Sequence, residues 1–190
     1  MAKTNKVKIS NKRKTKRIYK KKDYDSNDGM LTSVWGPSAW HYIHSISFNY
    51  PTHPTCDDKR NYRNFILNLR NTLPCGKCRI NLCKNFKKLP LTWKHMKNRD
   101  TFSRYVYKLH EVINKMLGKN SGLSYYDVRE RYEHFRSRCT IQETKSKKED
   151  GCINPVYGEK SKCVLQIVPD KQKCETFQID DKCVKKIINI

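Results

Sequence analysis

The stretch LPCGKCRINLC, residues 73–83, carries three thiols: Cys75 and Cys78 lie two residues apart, and Cys83 follows in the same run. Three chemistries suit such a set: metal ligation, a structural bridge, or thiol–disulfide electron transfer. A zinc site needs four ligands, as a rule from two paired knuckles. Cys75 and Cys78 supply one knuckle, and the chain has no second Cys-x-x-Cys and no His-x-x-x-His. No metal is therefore expected. A Cys75–Cys78 bridge closes so small a loop that it removes little entropy from the unfolded chain, which makes it a weak staple. Electron transfer has a physical basis. Cys75 follows Pro74 and falls at the N-terminus of a predicted helix, where unpaired N–H groups and the helix dipole favour a thiolate. Lys77 and Arg79 add positive charge. A thiol of lowered pKa exchanges at neutral pH.

The elements that must hold these cysteines read as helices. "WGPSAWHYIHSISFNYP" places Trp40, Ile43, His44, Ser47 and Phe48 at helical spacing. Pro37 suits a first helical position, so the first helix is expected over about 37–50. "DDKRNYRNFILNLRNTL" opens with two carboxylates in its first turn and stops at Pro74. The third helix starts at the cysteines, with Cys75, Cys78, Leu82 and Phe86 along one stripe, and ends at Pro90. The fourth, "DTFSRYVYKLHEVINKMLGK", keeps the 3.6 period from Phe102 to Leu117 and ends at Gly118. "SYYDVRERYEHFRSRC" is a shorter fifth helix capped by Ser124. The expected fold is all-α: a four-helix bundle with a short fifth helix over residues 31–139 and no strand within it. A Cys-x-x-Cys set among helices, outside the β-α-β setting of a thioredoxin, needs a further electron acceptor.

Flanking segments differ from this body. The formal charge is +23, and residues 1–22 hold eleven Lys or Arg and no acid. Like charges repel and nothing apolar is available to bury, so residues 1–30 are expected to be a disordered basic arm and linker. Such an arm suits nucleic acid or another anionic surface. It has no apolar h-region of a secretory signal and no transit-peptide pattern, and no stretch has the apolar length of a membrane span. The expectation is a soluble protein, in a host-cell cytoplasm or a virion if the source is viral. Residues 140–190 read as a small appendage. Its Cys152, Cys163, Cys174 and Cys183 recur at intervals of 11, 11 and 9 and suggest local disulfides. "CVLQIVP" and "CETFQI" look like short strands. Cys56 and Cys83 read as buried or free thiols.

Four segments in order resemble the Erv/Alr family of FAD-dependent sulfhydryl oxidases, spread over roughly residues 33–135. "WGPSAWHYIHSISFNYPTHPT" is similar to the family's Gly-x-x-x-Trp-x-x-x-His opening, followed by Tyr-Pro and Pro-Thr. "LPCGKC" resembles its Pro-Cys-x-x-Cys, "LHEVINKMLGK" its His-Asn-x-x-Asn segment ending in Leu-Gly-Lys, and "DVRERY" the segment that closes the flavin pocket. The Trp-Gly opening and the Lys/Asn-rich style are similar to members from large cytoplasmic DNA viruses.

The resemblance implies FAD held noncovalently by a helical bundle, often in a homodimer. It implies Cys78 as the flavin-proximal sulfur and Cys75 as the sulfur that exchanges with substrate. Gly36, Trp40, His44, Tyr50, His110, Asn114, Lys119 and Tyr132 would bind the cofactor. Protein dithiols, or a thioredoxin-like carrier, would pass electrons through Cys75–Cys78 and FAD to dioxygen, giving a disulfide and hydrogen peroxide. Two departures stand out. Glu111 occupies a position where the family usually has Asn, and "NSGLSYY" lacks the cysteine that normally follows Leu-Gly-Lys. A different class remains beside this one: a nonenzymatic basic protein that binds nucleic acid or builds virions, with the helices as scaffold.

Overall fold

The computed structural model describes residues 20–140, 151–175 and 177–184. A single turn, α1 (Lys21–Tyr24), is exposed. The bundle follows: α2 (Thr32–Phe48), α3 (Cys56–Thr72), α4 (Gly76–Lys88) and α5 (Arg99–Met116), with the short α6 (Tyr125–Glu133) after them. A 3-10 turn, Trp93–Met96, links α4 to α5. The all-α bundle of four long helices with a shorter one after them is the architecture expected above. Residues 1–19, which carry most of the basic arm, lie outside the described residues. Among the described residues no helix is long and apolar enough to cross a membrane.

Most helix ends follow from local chemistry. Thr55 caps α3, accepting from the Asp58 N–H at 3.1 Å while the Asp58 carboxylate accepts from the Thr55 N–H at 2.8 Å. Asn98 caps α5 through the Thr101 N–H at 3.0 Å, and Ser124 caps α6 through the Asp127 N–H at 3.2 Å. Gly118 takes the left-handed conformation after α5, with φ 67°. The Lys119 N–H then reaches back to the Asn114 carbonyl at 2.8 Å.

α2 does not begin at Pro37. It begins at Thr32 and ends at Phe48, with Gly36 and Pro37 inside it. A long-range contact sets the start. The Met30 N–H donates to the Pro74 carbonyl at 2.8 Å, and the Trp35 indole N–H donates to the Met30 carbonyl at 3.0 Å. α6 also departs from expectation, stopping at Glu133 well before 139. Arg136 pairs with Glu133 at 2.9 Å and donates to the Phe48 carbonyl, turning the chain back over the end of α2. A strand therefore does occur before residue 139. β1 (Ser137–Thr140) pairs antiparallel with β2 (Gly151–Pro155), Ser137 opposite Pro155 and Arg138 opposite Asn154.

The appendage corrects two further expectations. Residues 163–169, and the described residues of 174–179, form no strand. Val164, Leu165 and Ile167 of this segment are exposed, and among the described residues they pack on no sheet. Cys163, Cys174 and Cys183 are free thiols, not local bridges, whereas Cys152 is disulfide-bonded. Cys56 and Cys83 are also free.

The core is aromatic and lies where α5 meets α2, α4 and the 3-10 turn. Tyr50, Ile66, Met96, Phe102, Tyr105 and Val106 are all but fully enclosed. Burying each such side chain contributes roughly 1.5–3 kcal/mol. α6 lies against α2 and α5, and α3 against α4, so the N-terminus of α4 is held beside the start of α2.

Candidate active site

Cys75 and Cys78 form a disulfide with a Cα–Cα distance of 5.2 Å. Cys75 is the N-cap of α4, and its sulfur accepts from the Cys78 backbone N–H at 3.2 Å. The Arg79 guanidinium donates to the Leu73 carbonyl and lies beside Gly76, which fixes a positive charge against the Cys75–Cys78 loop. Helix terminus and guanidinium both favour an ionised sulfur. Both cysteines are half-buried, so an incoming thiol can reach the pair. Cys83, five residues on, is not part of it.

From this disulfide a row of residues runs along α2 at four-residue spacing: Thr32, Gly36, Trp40, His44 and Phe48. Residues four apart are neighbours on a helix surface. The Thr32 hydroxyl lies 3.8 Å from the Cys78 sulfur. Among the described residues, a Cβ added at Gly36 would meet only the Thr32 methyl within 4 Å, at 3.8 Å, so that face is open. Further along, the Trp40 ring stacks on His110 of α5, centroids 3.8 Å apart and planes 7° from parallel. His44 Nε2 and His110 Nδ1 are 3.0 Å apart. Tyr132 of α6 stacks on Phe48 at 5.2 Å and on His44 at 5.4 Å. Its hydroxyl lies 3.3 Å from His41 Nδ1.

Electrostatics keeps this group neutral. Burial pushes His44 down to about 3, and the His110 and His41 charges act in the same direction. Burial pushes His110 down to about 4, opposed by Glu111 and aided by Lys119. Burial also raises the Tyr132 phenol above its ordinary range. His44 Nδ1 is buried and, among the described residues, finds no hydrogen-bond partner. Buried polar atoms are nearly always paired, so an orphan here marks a position for a ligand atom.

Seven of the eight sequence-predicted cofactor positions fall on or near this surface. Gly36, Trp40 and His44 line α2, His110 and Asn114 line α5, Lys119 follows its cap, and Tyr132 closes from α6. The Asn114 amide donates to Glu111 Oε1 at 3.0 Å, and the Ser121 hydroxyl donates to the same oxygen at 2.9 Å. Glu111 thus braces Asn114 and the loop beyond Gly118. Tyr50 is different. It is fully enclosed, its hydroxyl donates to the Met96 carbonyl at 3.0 Å, and its ring meets Tyr62 and Phe102 at 4.8 and 4.9 Å. It belongs to the core. The sequence reading missed Thr32 and His41. Thr32 would have emerged by extending the four-residue row back past Gly36, which starting the helix at Pro37 prevented.

The residues present fit FAD. They offer flat aromatic and imidazole faces, an unfilled glycine face, an unpaired buried nitrogen and a lysine for an anionic group. The Trp40–His110 spacing leaves no room for a third ring between them, so a planar group would lie against an outer face.

A helical bundle with a disulfide pair at one helix start and a polar aromatic surface beside it has the parts that thiol–disulfide exchange requires. The Erv1 / Alr family profile matches residues 37–135, and the chain belongs to that family. It is 37% identical over 90 residues to a "probable FAD-linked sulfhydryl oxidase" of Acanthamoeba polyphaga mimivirus, covering 47% of this chain and 63% of that protein. It is 29% identical over 99 residues to an FAD-linked sulfhydryl oxidase of African swine fever virus, covering 52% and 80%. The yeast Erv1 core structure aligns over 62% of this chain and 92% of its own, with 23% identity and a TM-score of 0.49.

Proposed function

We propose that this chain is an FAD-linked sulfhydryl oxidase that makes disulfides in protein dithiols at the expense of dioxygen. One observation carries the reading: a Cys75–Cys78 disulfide at the start of α4 touches the α2 row that leads to Trp40 and His44. The balance is two thiols plus dioxygen giving one disulfide plus hydrogen peroxide. Bound FAD supplies the two-electron acceptor that links the dithiol to dioxygen.

The chain's own residues perform the exchange. A substrate thiolate attacks Cys75, forming a mixed disulfide and releasing Cys78 as a thiolate. The second substrate thiolate then attacks its partner sulfur and releases Cys75. The substrate leaves oxidised, and the pair is left reduced. The α4 N-terminus and Arg79 stabilise the released charge. Gly36, Trp40, His44, His110, Asn114, Lys119 and Tyr132 would hold the cofactor, with Cys78 the sulfur on its side and Cys75 the outer one. The neutral imidazoles and the protonated, buried Tyr132 phenol give that surface an uncharged lining. Protein dithiols or a thioredoxin-like carrier are the proposed substrates, and a homodimer the proposed assembly. The viral relatives support a host-cell cytoplasm or virion as the place of action. Residues 1–22 are the proposed contact to nucleic acid or another anionic surface, residues 31–139 the oxidase domain, and residues 140–190 an appendage.

The test is direct. Purified full-length protein should be yellow, release flavin on denaturation, and consume dioxygen with dithiothreitol while producing peroxide. Protein that stays colourless and inert after incubation with FAD would overturn the reading.

A further inference from the structure

The α2 row begins ahead of the stretch that matches the family, whose first matched residue is Pro37. Its first member, Thr32, is the one whose side chain meets a redox sulfur, with Oγ1 3.8 Å from Cys78 Sγ. A sulfur in a disulfide carries no hydrogen, so the hydroxyl is the donor. The segment before Thr32, which the sequence suggested was linker, is fastened to the active loop. The Met30 N–H donates to the carbonyl of Pro74, the residue before Cys75, and the Trp35 indole holds the Met30 carbonyl. Gly29 lies so close that a Cβ there would stand 2.9 Å from the Pro74 oxygen and 3.4 Å from Cys75 Cα. Those are backbone atoms and cannot swing aside. Residues 29–35 therefore form a strap that sets the first turn of α2 against the disulfide. Leu31, at the N-cap, adds no side-chain cap. The first turn of α2 therefore lies beside Cys78 through the Thr32 side chain, while at α4 a backbone N–H meets the Cys75 sulfur.

We infer that Thr32 is a positioning residue for Cys78: its hydroxyl holds the Cys78 sulfur and stabilises the thiolate released when a substrate thiol attacks Cys75. The inference rests on the reading of Cys75–Cys78 as the redox pair. In the step concerned, the substrate sulfur bonds to Cys75, the Cys75–Cys78 bond breaks, and Cys78 leaves with the electron pair. A hydroxyl bonds weakly to a neutral disulfide sulfur and much more strongly to an anion. The contact therefore strengthens along the reaction, which is the condition for accelerating it. A better leaving group is released faster, and attack is directed to the other sulfur. The same contact would explain which cysteine is outer and which inner without any appeal to burial, since both are half-buried. Thr32 is exposed and water competes for its hydroxyl, so the expected effect is about three- to tenfold. Arg79 lies against the disulfide loop, and Lys77 on α4 and Asp28 just before the strap are the charged residues nearest to it in sequence; the variants below leave all three in place.

The experiment measures Cys78 itself. In full-length protein carrying Cys75→Ser, the pH dependence of Cys78 alkylation by iodoacetamide is followed by peptide mass mapping, which separates it from the other thiols. Adding Thr32→Val should raise the midpoint by about half to one pH unit, whereas Thr32→Ser should leave it near the parent value. Gly29→Ala, which keeps the hydroxyl but displaces the strap, should shift it in the same direction as Thr32→Val. In the otherwise native chain, Thr32→Val should slow reduction of the Cys75–Cys78 disulfide by dithiothreitol about three- to tenfold at unchanged flavin content. Midpoints for Thr32→Val and Gly29→Ala within about 0.2 unit of the parent would overturn the inference, whatever turnover shows. Wild-type turnover in Cys78→Ser would instead overturn the redox-pair reading on which it rests.

Discussion

His44 Nε2 and His110 Nδ1 lie 3.0 Å apart, joining α2 to α5 directly beneath the Trp40 ring. One proton fits between the two nitrogens, so the pair is comfortable only when at most one ring is charged. Burial holds His44 near 3 and His110 near 4, below the ordinary 6.5. The unfolded chain therefore binds more protons than the folded one between about pH 6.5 and pH 4. Stability should be complete above about pH 6.5 and fall as the pH drops toward 4. The loss should approach about 2 kcal/mol for each imidazole by pH 5. Thermal melts of the full chain should shift down from pH 7 to pH 5. Coincident melts would show that this pair does not carry the pH dependence.

The assignment of Cys75 and Cys78 is separable from Cys83. Cys75→Ser and Cys78→Ser should each reduce oxygen consumption with dithiothreitol to below about 1% of wild type, since either change removes the disulfide. Cys83→Ser should stay within about twofold, because Cys83 is a free thiol outside the pair. An oxygen electrode decides. Comparable losses from all three would bring Cys83 into the path of electrons.

What the sequence made legible was what local chemistry controls. The two carboxylates in the first turn of α3, the 3.6 period from Phe102 to Leu117, the cap at Ser124 and the stop at Gly118 placed α3, α5 and the start of α6. Cys75 at the head of α4 was readable from Pro74 and the amphipathic run after it. Contacts between distant residues were not readable. Pro37 suits a helix start, but the Met30–Pro74 bond moved that start back to Thr32. Arg136 reaching Phe48 cut α6 short. Residues 163–169 have a strand-like composition but pair with no strand among the described residues. Tyr50 matched a motif position, yet its hydroxyl and ring are committed to the core.

Tyr50→Phe tests that last distinction. The substitution keeps the ring against Tyr62 and Phe102 and leaves the buried Met96 carbonyl without its donor. Stability should fall by about 1 kcal/mol in urea titrations. Flavin content and turnover should stay within about twofold of wild type, because the hydroxyl faces Met96 and not the cofactor surface. Loss of flavin at near-native stability would return Tyr50 to the site.

Removal of residues 1–22 should separate charge from chemistry. The segment holds eleven Lys or Arg and no acid, and the strap that touches Pro74 begins only at Gly29. Turnover with dithiothreitol should be unchanged. Binding to duplex DNA, measured by anisotropy across a salt series, should weaken, and its salt slope should flatten as phosphate contacts are lost. Equal binding and slope in the truncated chain would leave the arm without a nucleic-acid role.

Glu111 shows how a departure from a family pattern can be compensated. Its Oε1 accepts from both the Asn114 amide and the Ser121 hydroxyl, so one carboxylate orients a proposed cofactor contact and pins the loop beyond Gly118. Glu111→Ala removes both acceptor bonds, and flavin dissociation should quicken about five- to tenfold, the range expected from losing one or two partly exposed hydrogen bonds. Glu111→Gln keeps a carbonyl acceptor and should lie within about threefold of wild type. Flavin release followed by fluorescence separates the two variants. If Gln behaves as Ala, the negative charge matters more than the acceptor. It would then act through His110, whose proton affinity Glu111 raises against the effect of burial.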